Sequence, residues 1–282
     1  MPIEHISDTA RWVAIYRAME TDRPDALFRD PYARRLAGAQ GEEIVRTMKR
    51  GAGMAWAMIV RTKVFDELLL GAIREGADLV LNLAAGLDAR PWRLELPPSL
   101  RWVDVDLPGI LNHKTEAMKG ETPRCRYEAV TLDLTDRAAR RALFARLGAE
   151  AKRAIVVTEG LLIYLTAEQV GELADDLHAP PSFRWWLIDL ASPDLLKIMV
   201  RYWGRPTEKA NAPFQFAPAE GTAFFAPHGW RELAFRSAME EARRMRREMK
   251  GSWFWRLLLP LYSAKRREGF RRMSGSVLLE RK

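Results

Sequence analysis

The chain has 282 residues, of which 48% are apolar and 29% charged, and it contains one cysteine. This composition is that of a globular protein and argues against a collagen, a coiled coil or a largely disordered chain. Cys125 alone cannot form an internal disulfide, and the four scattered histidines lack the spacing of metal ligands, so we predict no metal site. The length suits one large α/β domain over residues 1–282.

The net charge of +8 is concentrated near the C-terminus. Residues 231–282 hold 15 basic and 6 acidic side chains, whereas the remainder of the chain holds 30 basic and 31 acidic ones. The excess therefore describes one local surface, and we expect no nucleic-acid partner. Charged side chains replace the apolar run of a signal peptide at the N-terminus, and no uncharged apolar stretch approaches the roughly 18 residues of a membrane span. We expect a cytoplasmic protein.

Residues 1–76 have the pattern of helices and loops, and we interpret them as an N-terminal helical cap. Within this cap, residues 52–75 are predicted to form one helix that ends at Gly76. Apolar side chains recur at helical spacing, which places most of this segment against a core. Arg61 lies within the same helix, and packing does not explain a charge there.

Residues 77–191 alternate between strand and helix patterns, and we interpret them as the cofactor-binding core. Continuous apolar runs indicate strands that are buried on both faces. Strands separated by helices predict a parallel, doubly wound sheet with right-handed crossovers. The predicted strands cover residues 78–84, 100–106, 124–130, 154–160 and 183–191.

The regular alternation weakens in residues 192–282. The proline-containing stretch 205–229 is predicted to be an insertion or lid. Residues 230–237 are predicted to form a strand and residues 238–250 a helix. The final GSVLLERK is predicted to form a short strand. Because this last strand lacks the spacing of a βαβ unit, we expect it to be antiparallel.

Ligands of doubly wound sheets bind beyond the carboxyl ends of the strands. Gly86 follows the first strand, but the other glycines of G-x-G-x-x-G are missing, so NAD and FAD are disfavoured. Asp106 ends the second strand and could accept ribose hydroxyls, or be a solvated carboxylate or helix cap. Asp133 could bind an adenine amine with Leu134 on the ring, or be a turn residue. Glu159 ends the fourth strand beside the predicted crevice.

One acid at each strand end with few glycines is typical of a class I S-adenosylmethionine-dependent methyltransferase. Several blocks also occur in the order of one family: DTARWVAIYRAMETDRPDALFRDPYARRLAG, Arg61-Thr62 with Phe65-Asp66, NLAAGLDARPWRL, VDVDLPGIL, Asp133-Leu134, TEGLLIYL, FFAPHGW and RRMSGSVLLER. Over nearly its whole length the sequence resembles the leucine carboxyl methyltransferase family. The resemblance is greatest to its bacterial branch of S-adenosylmethionine-dependent O-methyltransferases associated with polyketide-type substrates.

The resemblance implies a doubly wound, mostly parallel seven-stranded sheet of the Rossmann-like methyltransferase type, with an N-terminal helical extension and a helical insertion or lid. It implies S-adenosylmethionine as cofactor, with Arg61 on the methionine carboxylate, Asp106 on the ribose and Glu159 near the amino group. The implied cofactor-binding residues are Arg61, Ala84, Gly86, Asp106, Asp133, Leu134 and Glu159. Eukaryotic protein-modifying members carry a lysine ahead of the DPY block, where this sequence has only Arg11 or Arg17; Arg11 stays unassigned.

No catalytic residue is assigned from the sequence. A carboxylate acceptor is ionised at neutral pH and needs no general base, whereas an alcohol or phenol would benefit from one. His228 is the most interesting candidate base, although a histidine in a turn is more often structural or solvated. Tyr164 could face the acceptor or pack on the sheet, and packing is slightly favoured. Cys125 reads as a small core residue.

The aromatic segment 252–262 is flanked by basic residues. The favoured interpretation is an amphipathic pair of helices on the sheet. A peripheral membrane contact through 252–272 that admits lipophilic acceptors is an alternative. A nucleic-acid groove is less expected because the aromatic residues do not alternate with basic ones. In the preceding helix, one face would hold Ala238, Ala242, Met245 and Met249, and another Arg243, Arg247 and Lys250.

Taken together, the sequence predicts an O-methyltransferase that acts on a carboxyl or hydroxyl oxygen of a small, lipophilic molecule. Two alternatives stay open. One is carboxyl methylation of a protein C-terminus, and the other is a non-catalytic basic protein of the same fold that binds a membrane surface or RNA. The sequence makes no prediction of the oligomeric state.

Overall fold

The computed structural model describes residues 7–47, 55–209, 213–249, 251 and 262–282. Its strands are β1 (Leu79–Leu83), β2 (Arg101–Asp106), β3 (Arg126–Thr131), β4 (Ala154–Thr158), β5 (Phe183–Ala191), β6 (Trp230–Ser237) and β7 (Ser274–Arg281). Its helices are α1 (Ser7–Thr21), α2 (Ala33–Thr47), α3 (Ala55–Arg74), α4 (Arg90–Arg93), α5 (Pro108–Ala117), α6 (Arg137–Glu150), α7 (Ala167–His178), α8 (Pro193–Lys209), α9 (Ala238–Arg244) and α10 (Ala264–Arg271). Short 3-10 turns cover Leu162–Tyr164 and Gly221–Phe225.

The strands form one seven-stranded sheet in the order β3-β2-β1-β4-β5-β7-β6. Strands β1 to β5 pair in parallel, and β7 inserts antiparallel between β5 and β6. This arrangement confirms the predicted doubly wound, mostly parallel sheet and the antiparallel last strand. The strand order reverses between β1 and β4, and a crevice for ligands is expected at such a reversal.

Apolar side chains of the central strands pack on both faces of the sheet. Leu79, Leu81 and Leu83 of β1 join a core cluster with α6 and α7, whereas Val80 joins the cluster on the α3 face. Burial on both faces explains why the strand is a continuous apolar run rather than an alternating one. A third cluster joins α1, α2 and α5 around Leu87, which places α1 beside the turn that follows β1.

The helix predicted over 238–250 is shorter than expected. Helix α9 ends at Arg244, and Arg246 has a left-handed backbone with φ 55°. Arg247 turns inward, where its guanidinium bonds the fully buried carboxylate of Glu20 at 2.9 Å. The prediction that Arg247 lies on the polar face of this helix was therefore wrong. Met249, which was predicted to lie on the apolar face, is 47% exposed. A buried acid on α1, distant in sequence, outweighs local helical periodicity here.

The aromatic segment predicted at 252–262 lies outside the described residues, apart from Tyr262. Lys250, on the predicted polar face, also lies outside them. The membrane contact through 252–272 accordingly stays a prediction. Among the helices of the described ranges, none combines the length and the apolar character needed to cross a bilayer.

Candidate functional site

The carboxyl ends of β1, β2, β4 and β5 open into a cavity of about 440 Å³. This volume lies within the range of about 300–1,000 Å³ that is usual for small-molecule sites. Helices α1 and α3 and the 3-10 turn after β4 contribute further walls. All the predicted cofactor-binding residues line it: Arg61, Ala84, Gly86, Asp106, Asp133, Leu134 and Glu159. The structure brings these residues together, and their individual ligand contacts stay predictions.

The turn after β1 and the acid at the end of β2 are joined by hydrogen bonds. Gly86 has φ 51°, which suits glycine, and an added Cβ would lie 3.1 Å from the Cβ of Ala10. The Gly86 N–H donates to Asp106 Oδ2 at 2.7 Å, and the Leu107 N–H donates to Oδ1 at 2.7 Å. Burial raises the pKa of Asp106. Each carboxylate oxygen keeps a second acceptor position, so the side chain can still bind two donors.

Asp133 adopts the turn role that the sequence left open. Its Oδ1 accepts from the Thr135 backbone N–H at 2.9 Å and from the Thr135 hydroxyl at 2.8 Å. These bonds lower the pKa of Asp133. The side chain is exposed at the cavity edge, and Leu134 beside it packs partly against the core. A turn role for Oδ1 is compatible with a ligand contact through the other oxygen.

Arg61 reaches from α3 to two carboxylates at the ends of β4 and β5. Its Nε donates to Glu159 Oε1 at 3.0 Å, and its Nη1 donates to Asp189 Oδ2 at 3.0 Å. Burial acts to lower the pKa of Arg61, but Asp189 and Glu159 outweigh it and raise that pKa. The guanidinium is therefore a permanent cation in the wall of the cavity, and these ion pairs explain its presence within α3.

A second buried arginine holds the other side of Glu159. Arg90 Nη1 lies 2.8 Å from Glu159 Oε2 and 2.7 Å from Asp88 Oδ2, and Arg90 Nε donates to Asp66 Oδ1 at 2.6 Å. Arg90 is only 3% exposed. Glu159 is thus fixed between two guanidinium groups, and the β1 turn is tied to α3 through Asp88, Arg90 and Asp66.

These contacts form part of a longer series of alternating charges, most of whose members line the cavity. Arg93 donates to Asp66 at 2.7 Å and lies 3.8 Å from Asp30, which pairs with Arg17 at 2.9 Å. In order, the series runs Arg17, Asp30, Arg93, Asp66, Arg90, Glu159, Arg61 and Asp189.

Sequence reasoning missed Arg90, Asp88 and Asp189. The position of Asp189 at the end of β5 could have been found, because the strand-end rule applies to the fifth strand as well. Asp88 and Arg90 lie within the NLAAGLDAR block, but no spacing rule pairs Arg90 with Glu159.

Arg17, and not Arg11, lines the cavity from α1. Arg17 Nη2 donates to the Leu87 carbonyl at 2.5 Å, which attaches α1 to the turn after β1. Arg11 donates instead to the Ala37 carbonyl at 3.0 Å and lies 3.1 Å from His113 Nε2.

His228 is not among the residues that line the cavity. Its Nδ1 lies 2.8 Å from Asp175 Oδ1, a contact that agrees with the structural alternative. Tyr164 was predicted with a slight preference to pack on the sheet. Its side chain also lines the cavity. Its hydroxyl bonds Thr9, and burial raises the pKa of Tyr164, which keeps it neutral. Cys125 is buried in the core, and burial raises its pKa to about 11.

Apolar side chains supply much of the remaining lining of the cavity. They come mainly from α1, α3, the 3-10 turn after β4, α8 and the loop that follows α8. The main apolar contributors are Trp12, Val13, Met58, Ile163, Leu195, Met199, Phe214 and Phe216. Charged and apolar side chains therefore line the same cavity. Within the described ranges, no group of three or more His, Cys, Asp or Glu side chains could hold a metal ion.

The fold is similar to that of solved proteins. A DUF574 family protein from Streptomyces avermitilis is 14% identical, with a TM-score of 0.63 over 96% of this chain and 97% of that chain. A "putative methyltransferase" from Thermobifida fusca is 17% identical, with a TM-score of 0.59 over 100% and 96% of the two chains. At these identities the similarity establishes the fold alone.

Curated relatives are closer in sequence. A protein from Parafrankia sp. is 37% identical over 190 residues, which cover 63% of this chain and 61% of the relative. A protein from Streptomyces coelicolor is 35% identical over 173 residues, 57% of this chain and 60% of the relative. Both are named "Putative S-adenosyl-L-methionine-dependent methyltransferase". The matched region spans about three fifths of the length of these relatives.

The family model of leucine carboxyl methyltransferases matches residues 10–178, from α1 to the end of α7. That range contains Arg61, Gly86, Asp106, Asp133 and Glu159. It covers more than half of the chain. The chain therefore belongs to the leucine carboxyl methyltransferase family.

Proposed function

We propose that this protein is an S-adenosylmethionine-dependent O-methyltransferase whose acceptor is a carboxyl or hydroxyl oxygen of a small, lipophilic molecule. One observation carries the proposal. The glycine turn after β1, the acids at successive strand ends and Arg61 line the same cavity as a set of apolar side chains. The names of the related proteins from Parafrankia and Streptomyces coelicolor support the same cofactor and methyl transfer in general, without indicating the acceptor.

The residues present fit the cofactor. Asp106 would hold the ribose hydroxyls through its two remaining acceptor positions, while Asp133 and Leu134 would frame the adenine. Arg61 uses only two of its five N–H donors on Glu159 and Asp189, so it can also bind the methionine carboxylate. When bound, S-adenosylmethionine supplies an electrophilic methyl group.

The charge of the site also suits this cofactor, which carries a sulfonium and an ammonium group. The buried series of ion pairs, together with Asp88, holds five carboxylates and four guanidinium groups. Its net negative charge would stabilise a bound cation, because electrostatic attraction is strong in a partly dehydrated site. Glu159 would lie nearest the ammonium group.

The residues of the chain would act chiefly by positioning the acceptor. Holding two reactants in a reactive geometry can supply about 7–11 kcal/mol of a barrier. Helix α1 is held over the site by the Arg17 contact to the Leu87 carbonyl and by the Thr9 contact to Tyr164. These contacts, with the apolar walls, would exclude water from the reacting oxygen.

Calorimetric titration with S-adenosylhomocysteine tests the proposal. We expect binding at one site per chain with a dissociation constant in the micromolar range or below. Circular dichroism on the same sample controls for folding. A folded sample that shows no heat of binding at high micromolar ligand would falsify the proposal and would favour a non-catalytic role.

The class of acceptor can be separated by product analysis. Transfer of a labelled methyl group to small lipophilic hydroxy or carboxy compounds, followed by mass spectrometry, supports the proposed acceptor. Base-labile methyl esters that appear only on a protein would instead establish the alternative of protein carboxyl methylation.

A further inference from the structure

Asp189 is a carboxylate at the end of β5 that lines the cavity together with many apolar side chains. Its Oδ1 accepts from the Gly160 N–H at 2.6 Å, and its Oδ2 accepts from Arg61 Nη1 at 3.0 Å. The side chain is 23% exposed and lines the cavity. A carboxylate has about four acceptor positions, so two fixed bonds orient the group and leave two positions for a ligand.

Each of the five arginines that line the described part of the cavity is bound to a carboxylate. Arg61 lies between Glu159 and Asp189, and Arg236 lies between Glu67 and Glu241. Arg17, Arg90 and Arg93 belong to the buried series. An acceptor with a carboxylate group would find each of these guanidinium groups already paired, and the spare donors of Arg61 are assigned to the cofactor. It would also lie next to the negative charges of Asp189 and Glu159.

We propose that the acceptor presents a hydroxyl group to Asp189, and that Asp189 takes the hydroxyl proton during methyl transfer. This inference rests on the proposed methyltransferase function and chooses between its two kinds of acceptor oxygen. A neutral hydroxyl can donate a hydrogen bond to a carboxylate, whereas an ionised carboxyl group would be repelled by it.

The reaction is balanced with these groups. The acceptor oxygen forms a bond to the methyl carbon, the carbon–sulfur bond breaks, and its electron pair stays on sulfur, which becomes neutral. The O–H bond of the acceptor breaks, and the proton goes to Asp189, which later releases it to water. Proton transfer to a positioned carboxylate is a general-base step.

The apolar lining of the cavity indicates the chemistry of the rest of the acceptor. Trp12, Phe214 and Phe216 supply aromatic surface, while Leu195 and Met199 supply flexible aliphatic surface from α8. Such walls suit a hydroxylated aromatic or a lipophilic alcohol, whose apolar body loses contact with water on binding.

A matched pair of probes tests the preference for a hydroxyl group. We would measure the affinities of 2-naphthol and 2-naphthoic acid by calorimetry, with the protein saturated with S-adenosylhomocysteine. The two compounds share a ring system and differ in the group that faces Asp189. We expect 2-naphthol to bind at least tenfold more tightly. Equal affinities, including no binding of either compound, or tighter binding of the acid, would overturn the inference.

The Asp189→Asn variant tests the proton transfer. Its amide oxygen can still accept from Gly160, and Arg61 keeps its bond to Glu159. We expect transfer to 2-naphthol to fall by about 10²–10⁴-fold, the usual contribution of a general base. Transfer to 1-nitro-2-naphthol should not fall, because this compound is already ionised at neutral pH, needs no base and is repelled by the charge that the variant removes. Equal losses of transfer rate with both naphthols would contradict the role of Asp189. The absence of transfer to 2-naphthol by the wild-type protein would contradict it as well.

Two controls separate the possible failures. Asp175→Asn removes a carboxylate that contacts His228 and does not line the cavity, so both transfer rates should be unchanged. The affinity of the Asp189→Asn variant for S-adenosylhomocysteine is measured as well, and its transfer rates are compared at saturating S-adenosylmethionine, so that weaker cofactor binding is not counted as lost proton transfer. If S-adenosylhomocysteine fails to bind even the wild-type protein, the proposed function itself is wrong. If it binds and the naphthol results differ from those expected, only the role of Asp189 is wrong.

Discussion

The backbone N–H of Gly86 lies 2.7 Å from Oδ2 of Asp106, 20 residues along the chain. Strands β1 and β2 are parallel neighbours, with Leu83 opposite Val105, so their carboxyl ends lie side by side. The spacing between a glycine turn and a strand-end acid thus has a structural cause. The intervening residues form the crossover, and the hydrogen bond fixes the acid against the turn.

Removal of Asp106 tests its predicted role on the ribose. Asp106→Ala should weaken S-adenosylhomocysteine binding by about 1–3 kcal/mol, because two ribose hydroxyls lose their acceptor in a partly buried site. Asp106→Asn keeps one oxygen acceptor and should lose less. Calorimetry on both variants measures the effect, and an unchanged affinity in Asp106→Ala would show that the assignment at the end of β2 is wrong.

The raised pKa of Asp106 adds a pH dependence to the same measurement. Because burial raises this pKa above 3.8, the carboxyl group gains a proton earlier than an exposed aspartate as the pH falls. Protonation removes acceptor capacity, so S-adenosylhomocysteine affinity should decrease as the pH is lowered towards that pKa. The Asp106→Asn variant should lose this part of the pH dependence; an identical pH profile in both proteins would contradict the explanation.

Arg61 is predicted to hold the methionine carboxylate of the cofactor. Arg61→Ala should weaken S-adenosylhomocysteine at least tenfold more than 5′-methylthioadenosine, which lacks the amino-acid tail, because a charge-assisted bond is lost only with the former. Arg61→Lys keeps the charge without the planar fork and should give an intermediate loss. Equal losses for both ligands would indicate that Arg61 supports the cavity wall and does not touch the carboxylate.

The strands and their order could be predicted because their signals are local. The apolar run of residues 183–191 matches β5, and missing βαβ spacing correctly indicated an antiparallel β7. The strand-end rule then selected Asp106 and Glu159, which do line the cavity. These successes depend on one relation, namely that carboxyl ends of parallel strands meet at one edge of the sheet.

The buried ion pairs could not be predicted because their partners are distant in sequence. Arg61 pairs with Asp189 across 128 positions, and Arg247 pairs with Glu20 across 227. Helical periodicity grouped Arg247 with Arg243 and Lys250 on one helix face, since amphipathic patterns contain no information about a buried acid on another helix. Desolvation makes an unpaired buried charge costly, so the tertiary partner decides the local conformation.

The buried carboxylate of Asp66 predicts a loss of stability in acid. Burial alone would raise its pKa, but Arg93 and Arg90 outweigh burial and hold the pKa below 3.8. The folded state therefore favours the ionised form; its stabilisation is complete above the unfolded pKa and is lost as the pH falls through the lowered folded pKa. The free energy of unfolding, measured in urea at a series of acidic pH values, should decrease less steeply with falling pH in Asp66→Asn than in the wild-type protein. Asp22→Asn, which changes an exposed carboxylate, is the control and should keep the wild-type dependence of this free energy on pH.

The buried arginine at the centre of the ionic series should matter far more for stability than an exposed arginine that also forms ion pairs. Arg90 is 3% exposed and bonds Asp66, Asp88 and Glu159. Arg90→Met should lower the free energy of unfolding by about 3–5 kcal/mol, because it leaves buried carboxylates without a partner.

Arg34 provides the matched control for this comparison. It pairs with two acids, Asp22 and Glu42, where Arg90 pairs with three, and its side chain is 53% exposed. Arg34→Met should cost about 0–1 kcal/mol, since water replaces the lost ion pairs. Chemical denaturation of both variants at neutral pH gives the two values. Similar losses of unfolding free energy in the two variants would mean that water reaches the ion pairs of Arg90. The electrostatic argument for a dehydrated, negatively charged wall of the cavity would then be wrong.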